Sequence, residues 1–283
     1  MEGQAEMEGF HPEAGPDADN VLAEHVPAEN VLAENVLGVG ISRVDLHRAV
    51  AAIHGWIARG ERRYVCVTSV HGVMESQNSD ELRRIHNSAG MVTPDGMPLA
   101  WLLRLAGCPN TGRVCGPDLM QAVFAASAPL GHRHFLYGAT EATLARLKAG
   151  LQAQAPGAQI VGSYAPPFRR AGAPEDPAVI DAINEARPDM VWVGLSTPKQ
   201  EYWMARHRPL LHAPVLLGVG AAFDVHAGRT PRAPLLMQRS GLEWLYRTAR
   251  EPRRLWWRYF SNNPRFLALI ALQKAGLYVR PVR

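Results

Sequence analysis

The sequence predicts an α/β fold: a mainly parallel sheet with helices on both faces, followed by a helical appendage at the C-terminal end. Three observations predict it. Short apolar runs rich in β-branched residues, such as residues 190–195 and 215–220, read as strands buried on both faces. Such runs alternate with stretches of helical spacing, a β-α-β-α rhythm that calls for crossover connections. From Arg229 onward the alternation stops, and arginines and aromatic residues crowd two helical segments. The chain has 283 residues, 47% hydrophobic and 20% charged, which is enough to bury a large core.

Taken in order, residues 1–35 read as a disordered or weakly ordered tail, rich in Glu, Ala, Gly and Pro, in which a pentad centred on Asn-Val-Leu recurs around Asn20, Asn30 and Asn35. The tail holds Asp17-Ala18-Asp19, the single D-x-D of the sequence. The folded part is expected from Val36. Residues 45–59 carry Leu46, Ala49, Val50, Ile53 and Ile57 at helical spacing, and residues 64–68 form a strand that runs into a polar loop, Ser69-Val70-His71-Gly72. A helix over 80–87 leads to a short strand broken by the turn Pro94-Asp95-Gly96. Helices follow over 97–106 and from Gly116 to about 126.

The second half alternates more plainly. A strand over 134–137 ends at Gly138, an amphipathic helix spans 141–154, and a strand spans 159–162. A helix over 177–186 precedes the strand at 190–195, the helix at 199–208 and the strand at 215–220. The result is a Rossmann-like sheet, and ligands of such sheets bind over the carboxyl ends of the strands. The loops from Ser196 to Glu201 and from Ala221 to Asp224 are therefore expected to face the ligand. The last two helices are expected over 235–248 and 252–277, which divides the chain into 1–35, a core at 36–230 and an appendage at 231–283.

Composition narrows the function. A net charge of +4 is too mild an excess to suggest a nucleic-acid partner. Three cysteines, Cys66, Cys108 and Cys115, lack C-x-x-C spacing, so neither a disulfide framework nor a zinc site is expected, and a reducing cytosol fits. No apolar run approaches the ~20 residues that span a bilayer, and the acidic, proline-containing start does not read as a secretory signal.

Asp95 is the leading candidate for a catalytic carboxylate, at a strand end in a turn that Gly96 permits; an Asp in front of a helix is also a common cap. Thr68 and His71 follow the first strand of the sheet and face the same cleft if the two strands are neighbours; a structural histidine is the alternative. Gln200 and Glu201 fall in the first turn of a helix, where free N–H groups can hold an anion, or where a charged turn is merely solvated. Asp224 can accept hydrogen bonds from ribose or sugar hydroxyls. The run Gly218-Val219-Gly220-Ala221-Ala222-Phe223 fails the dinucleotide fingerprint at Phe223, which speaks against an NAD(P)-dependent sugar-nucleotide oxidoreductase or epimerase, and no P-loop is present. Arg247, Arg250, Arg254 and Arg258 fall on one helical stripe, suited to a diphosphate that guanidiniums bind bidentately. Interleaved Trp and Tyr favour a membrane surface. A non-catalytic membrane-surface scaffold is the other rival, and it leaves the polar strand-end loops without a purpose.

These pieces, in this order, resemble the WecG/TagA/CpsF glycosyltransferase family, glycosyltransferase family 26. The resemblance rests on Thr93-Pro94-Asp95-Gly96, Gly116-Pro117-Asp118-Leu119, Phe135-Leu136-Tyr137-Gly138, Pro198-Lys199-Gln200-Glu201, Gly218 to Asp224, Arg232-Ala233-Pro234 and Gly241-Leu242-Glu243-Trp244-Leu245-Tyr246-Arg247. It implies an inverting, metal-independent and cofactor-free transfer of a sugar from a UDP-sugar to a polyprenyl-diphosphate-linked sugar, at the inner face of the cytoplasmic membrane, in surface polysaccharide synthesis. It implies that Asp95 is the base, that Thr68 belongs to the active site, and that His71 stands beside Val70, where the family often has Asn. Gly138, Gln200, Glu201, Gly220 and Asp224 are then expected at the donor, and Arg247, Arg250, Arg254 and Arg258 at the acceptor diphosphate. Whether the chain also partners copies of itself is left open.

Overall fold

A computed structural model describes residues 31–168, 170 and 174–282, apart from the side chains of Arg254 and Arg258. Asp17-Ala18-Asp19, the repeat around Asn20, and Asn30 itself lie outside the described residues. The described part opens with a hairpin, β1 (Ala33–Val36) and β2 (Val39–Ser42), paired antiparallel with Val36 opposite Val39. Its two-residue turn puts Leu37 at φ 53° and Gly38 at φ 83°, the left-handed geometry that matches strand twist.

Six strands form the main sheet: β3 (Arg63–Thr68), β4 (Met91–Pro94), β5 (Arg133–Gly138), β6 (Gln159–Tyr164), β7 (Met190–Gly194) and β8 (Val215–Gly218). All pair in parallel, in the order β4-β3-β8-β7-β5-β6. Successive strand residues point to opposite faces and both faces are buried. On one face Val65, Val67, Met190, Trp192 and Leu217 pack against helices α1 (Leu46–Ala58), α5 (Gly116–Ser127) and α6 (Glu141–Gln154). On the other, Cys66, Val191, Val193 and Leu216 pack against α2 (Val70–Asn78), α4 (Met97–Leu105), α7 (Pro177–Glu185) and α8 (Lys199–His207). Helix α3 (Asp80–Asn87) completes the β3–β4 crossover, capped by the Ser79 hydroxyl, which accepts from Leu82 N–H at 3.1 Å.

Four stretches differ from expectation: to begin with, β1 starts at Ala33, inside the stretch expected to be tail. Residues 69–72 are not a loop: α2 begins at Val70, directly after β3. Val70, Val73 and Met74 make its apolar stripe, and Val73 and Met74 are fully buried. The stretch after β8 also turns helical, as α9 (Ala222–His226). The C-terminal part holds three helices, α10 (Leu235–Arg239), α11 (Glu243–Arg250) and α12 (Pro252–Lys274), because Gly241, at φ 73°, breaks the first of the two expected segments.

Candidate active site

The chain leaves β3 toward the edge strand β4, whereas β8, beside β3, arrives from the opposite side. Where connections part like this, the strand ends leave a crevice. A cavity of about 580 Å³ fills it. Its floor comes from the ends of the sheet: Ser69 and His71 after β3, Asp95 and Gly96 after β4, Ser196 and Thr197 after β7, Val219 to Ala222 after β8. Its far wall comes from the C-terminal helices, with Trp244, Arg247, Tyr259, Phe260 and Leu267.

Asp95 is positioned by backbone. Its N–H donates to the carbonyls of Thr68 (2.9 Å) and Thr93 (3.0 Å), which carries the β3–β4 ladder one residue past β4. Gly96 follows at φ 114°, a region open to glycine, and α4 starts immediately after it. The carboxylate faces the cavity and takes no hydrogen bond from the described residues. Burial, helped by the negative charge of Glu243, pushes its pKa up to about 6, against the pull of Arg113 and Arg247. A carboxylate poised there is ionised at neutral pH and is a stronger base than an ordinary one.

Arg113 was not among the residues singled out from the sequence, yet it anchors the site. It pairs with Glu243 of α11 and donates to Asp118 (3.1 Å) and Gln238 (3.0 Å). Burial opposes its charge, but Cys115, Glu243, Asp95 and Asp118 around it raise its pKa overall. Arg232 meets Asp118 at 2.6 Å and Gln238 at 2.9 Å. This network stitches the C-terminal helices to the sheet beside Asp95. The sequence signal for it was slight: Arg113 lies three residues before the Gly116-Pro117-Asp118 motif.

The remaining candidates divide. Gln200, Gly220, His71 and Arg247 line the cavity with Asp95. The Gln200 amide donates to Glu201 at 3.1 Å, and its own oxygen is buried without a partner among the described residues. His71 Nδ1 lies 3.2 Å from the Asn262 amide of α12. Thr68, Gly138, Glu201, Asp224 and Arg250 are not among the lining residues. Thr68 is buried, with its methyl against Gly72. Glu201 is fully buried and accepts from Thr197 Oγ1 at 2.9 Å. Gly138 ends β5 so close to β7 that an added Cβ would come 2.6 Å from the Gly194 carbonyl. Asp224 is half exposed on α9, 3.9 Å from Arg229. Arg250 is exposed, and the side chains of Arg254 and Arg258 lie outside the description. Among the described residues no three His, Cys, Asp or Glu side chains group as a metal site, and no described helix is long and apolar enough to cross a membrane.

The cavity thus joins one poised carboxylate, a buried amide oxygen unpartnered among the described residues and the guanidiniums of Arg113, Arg232 and Arg247, an arrangement able to deprotonate a hydroxyl beside an anionic leaving group. Comparison with known proteins points the same way. The chain is similar to the N-acetylglucosaminyldiphosphoundecaprenol N-acetyl-beta-D-mannosaminyltransferase of Bacillus spizizenii, with 30% identity over 196 residues, 69% of this chain and 74% of that protein. It is equally similar to the protein of that name from Bacillus subtilis strain 168, with 30% identity over 198 residues, 69% of this chain and 75% of that one. The glycosyl transferase WecG/TagA/CpsF family matches residues 34–280. With that match over nearly all of the described residues, the chain belongs to the WecG/TagA/CpsF glycosyltransferase family and is a glycosyltransferase.

Proposed function

We propose that this enzyme transfers a sugar, with inversion and without a metal, from a UDP-sugar to a polyprenyl-diphosphate-linked sugar in bacterial surface polysaccharide synthesis. The observation that carries the reading is Asp95, a carboxylate facing the cavity with its pKa raised to about 6. The acceptor hydroxyl attacks the anomeric carbon while Asp95 takes its proton. The bond from that carbon to the UDP oxygen breaks, and UDP leaves with the electron pair. Base assistance of this kind contributes about 10²–10⁴-fold.

The donor lies over the ends of β7 and β8, where Gln200 and Gly220 face it, with Glu201 bracing the Gln200 amide and Asp224 near the outer end. Gly138 shapes the carboxyl end of β5 beside that site, and Thr68 holds Asp95 through its carbonyl. His71, tied to Asn262, orients the acceptor. Arg113 and Arg247 stabilise the charge on the diphosphates, as preorganised cations do where negative charge develops, and Arg250, Arg254 and Arg258 of the same sequence stripe are assigned with Arg247 to the acceptor diphosphate. The core at 36–230 carries the chemistry, and the appendage at 231–283 meets the acceptor at the cytoplasmic membrane surface. The names of the Bacillus relatives make N-acetylglucosamine-diphosphate lipid the acceptor to try first and UDP-N-acetylmannosamine the donor.

The test is a transfer assay with that pair. Asp95→Asn is expected to lower kcat by about 10²–10⁴-fold, and EDTA is expected to leave the rate unchanged. Near-normal turnover of Asp95→Asn would remove Asp95 as the base, and strong inhibition by EDTA would overturn metal independence.

A further inference from the structure

The apolar wall of the cavity continues past its mouth. Phe260, Asn263 and Leu267 line the cavity from α12. Together with Trp256 they fall on one face of that helix, at i, i+4, i+7 and i+11. Trp256 lies one turn beyond the lining, its ring stacked on Phe260 with centroids 4.0 Å apart. Trp244 of α11 closes the other side, edge-on to Phe260 at 6.4 Å. Arg247 lies three residues after Trp244 on the same helix and lines the same cavity. The wall therefore sets a cation, Arg247, and the Trp244–Phe260 corner in one cavity, and stacks Trp256 on Phe260 just outside its lining, with Phe260 48% and Trp256 56% exposed.

That juxtaposition constrains the occupant. A flat bilayer surface would meet exposed rings alone, but here the rings continue the wall of a cavity that also holds Asp95. A ligand that fits must be anionic at one point and apolar immediately beyond it. The acceptor proposed above has that order: sugar, diphosphate, then an isoprenoid chain. Isoprene units are branched and apolar, and they gain from being laid against aromatic faces.

We propose that Trp244, Phe260 and Trp256 form a track that binds the first isoprene units of the acceptor lipid, so that the enzyme recognises the chain next to the diphosphate and not the sugar diphosphate alone. The inference rests on the acceptor reading given above.

Transfer is measured with the full chain, without membranes, on N-acetylglucosamine diphosphates esterified by an ethyl or a farnesyl group, each kept below its micelle concentration. The farnesyl acceptor is expected to show kcat/KM at least about tenfold higher, carried by KM, since each buried methylene adds to affinity. Trp256→Ala and Phe260→Ala are expected to bring the farnesyl-to-ethyl ratio close to one, and Trp256→Phe to keep most of it. Because Trp256 is half exposed, its replacement spares the core, and a thermal melt checks that. Turnover of both acceptors at equal kcat/KM in the unaltered enzyme overturns the track and leaves the proposed function standing. A ratio that survives in both alanine variants also overturns it. If those variants instead lose binding to phosphatidylglycerol vesicles, or shift from dimer to monomer, with the ratio intact, the rings serve a bilayer or a second copy. Absence of turnover with either acceptor removes the acceptor reading itself, and the track with it.

Discussion

The sheet and the C-terminal helices are held by different physics. In β3, β7 and β8 nearly every side chain is buried on one face or the other, from Val65 and Cys66 to Trp192 and Leu217. In α12, 23 residues long, Leu255 and Phe266 are the hydrophobic residues buried to that degree among those described, while Trp257 is 78% exposed. Around that thin apolar contact, to which Leu269 and Ile270 add, discrete polar ties hold the C-terminal part. Glu243 of the preceding helix α11 pairs with Arg113, and Asn262 of α12 meets His71. Toward the C-terminus the Gln273 amide accepts from Leu37 N–H and donates to the Asn35 carbonyl, both at 2.9 Å, and Arg280 reaches Asp80 at 3.2 Å. Burial makes the sheet one cooperative body, whereas a helix pinned at a few points can open by itself.

The sharpest way to break that contrast is to truncate a tryptophan in each region. Trp192→Ala, in the core, is expected to cost about 3–5 kcal/mol, and Trp257→Ala at most about 0.5 kcal/mol; urea unfolding midpoints decide it. Equal losses would mean that the C-terminal helices share the core after all.

Asp95 tests the seam between the regions. Its pKa rises from an ordinary carboxylate value to about 6 in the folded chain, so folding takes up a proton between those two values. Stability therefore falls as pH rises through that window and stays lowered above it. Asp95→Asn is expected to recover on the order of 2 kcal/mol at pH 7 while losing activity. A melt that drops instead would show that the carboxylate is satisfied where it sits. The rate of the unaltered enzyme is expected to fall below about pH 6, the acid limb of a base with that pKa. Glu243→Gln removes a charge that helps burial raise it, and the limb should move to lower pH; a fall in rate at an unmoved limb would reduce Glu243 to an anchor.

A smaller effect belongs to Gln273→Ala, which strips the partner from the buried Leu37 N–H at a cost of about 1–3 kcal/mol. Hydrogen exchange should quicken across α12 and stay slow in the sheet. Uniform quickening would join the two regions into one unit.

What could be read in advance follows the same division. The six strands and most of their helices were legible because continuous apolar runs and helical spacing report burial directly, and residues 141–154 were read to their observed bounds. α2 was hidden because its stripe is short and interrupted by His71, Gly72 and Glu75. The hairpin was hidden because Leu37 takes a left-handed turn position that leucine does not advertise, inside a repeat that reads as tail. Asp95 stood out at a strand end, with a glycine that allows the turn. Arg113 did not, because the pair it makes with Glu243 joins positions 130 apart, and local pattern carries no trace of such a contact.

The tie from Leu37 to Gln273 spans 236 positions of the chain. During synthesis the whole sheet can leave the ribosome, pair and pack while the helix that walls the cavity is still being made. The nascent protein then passes through a stage with its acidic side chain in place but nothing to close over a substrate. Activity should accordingly appear late on the ribosome, only after the stretch around Gln273 has emerged and caught the first hairpin.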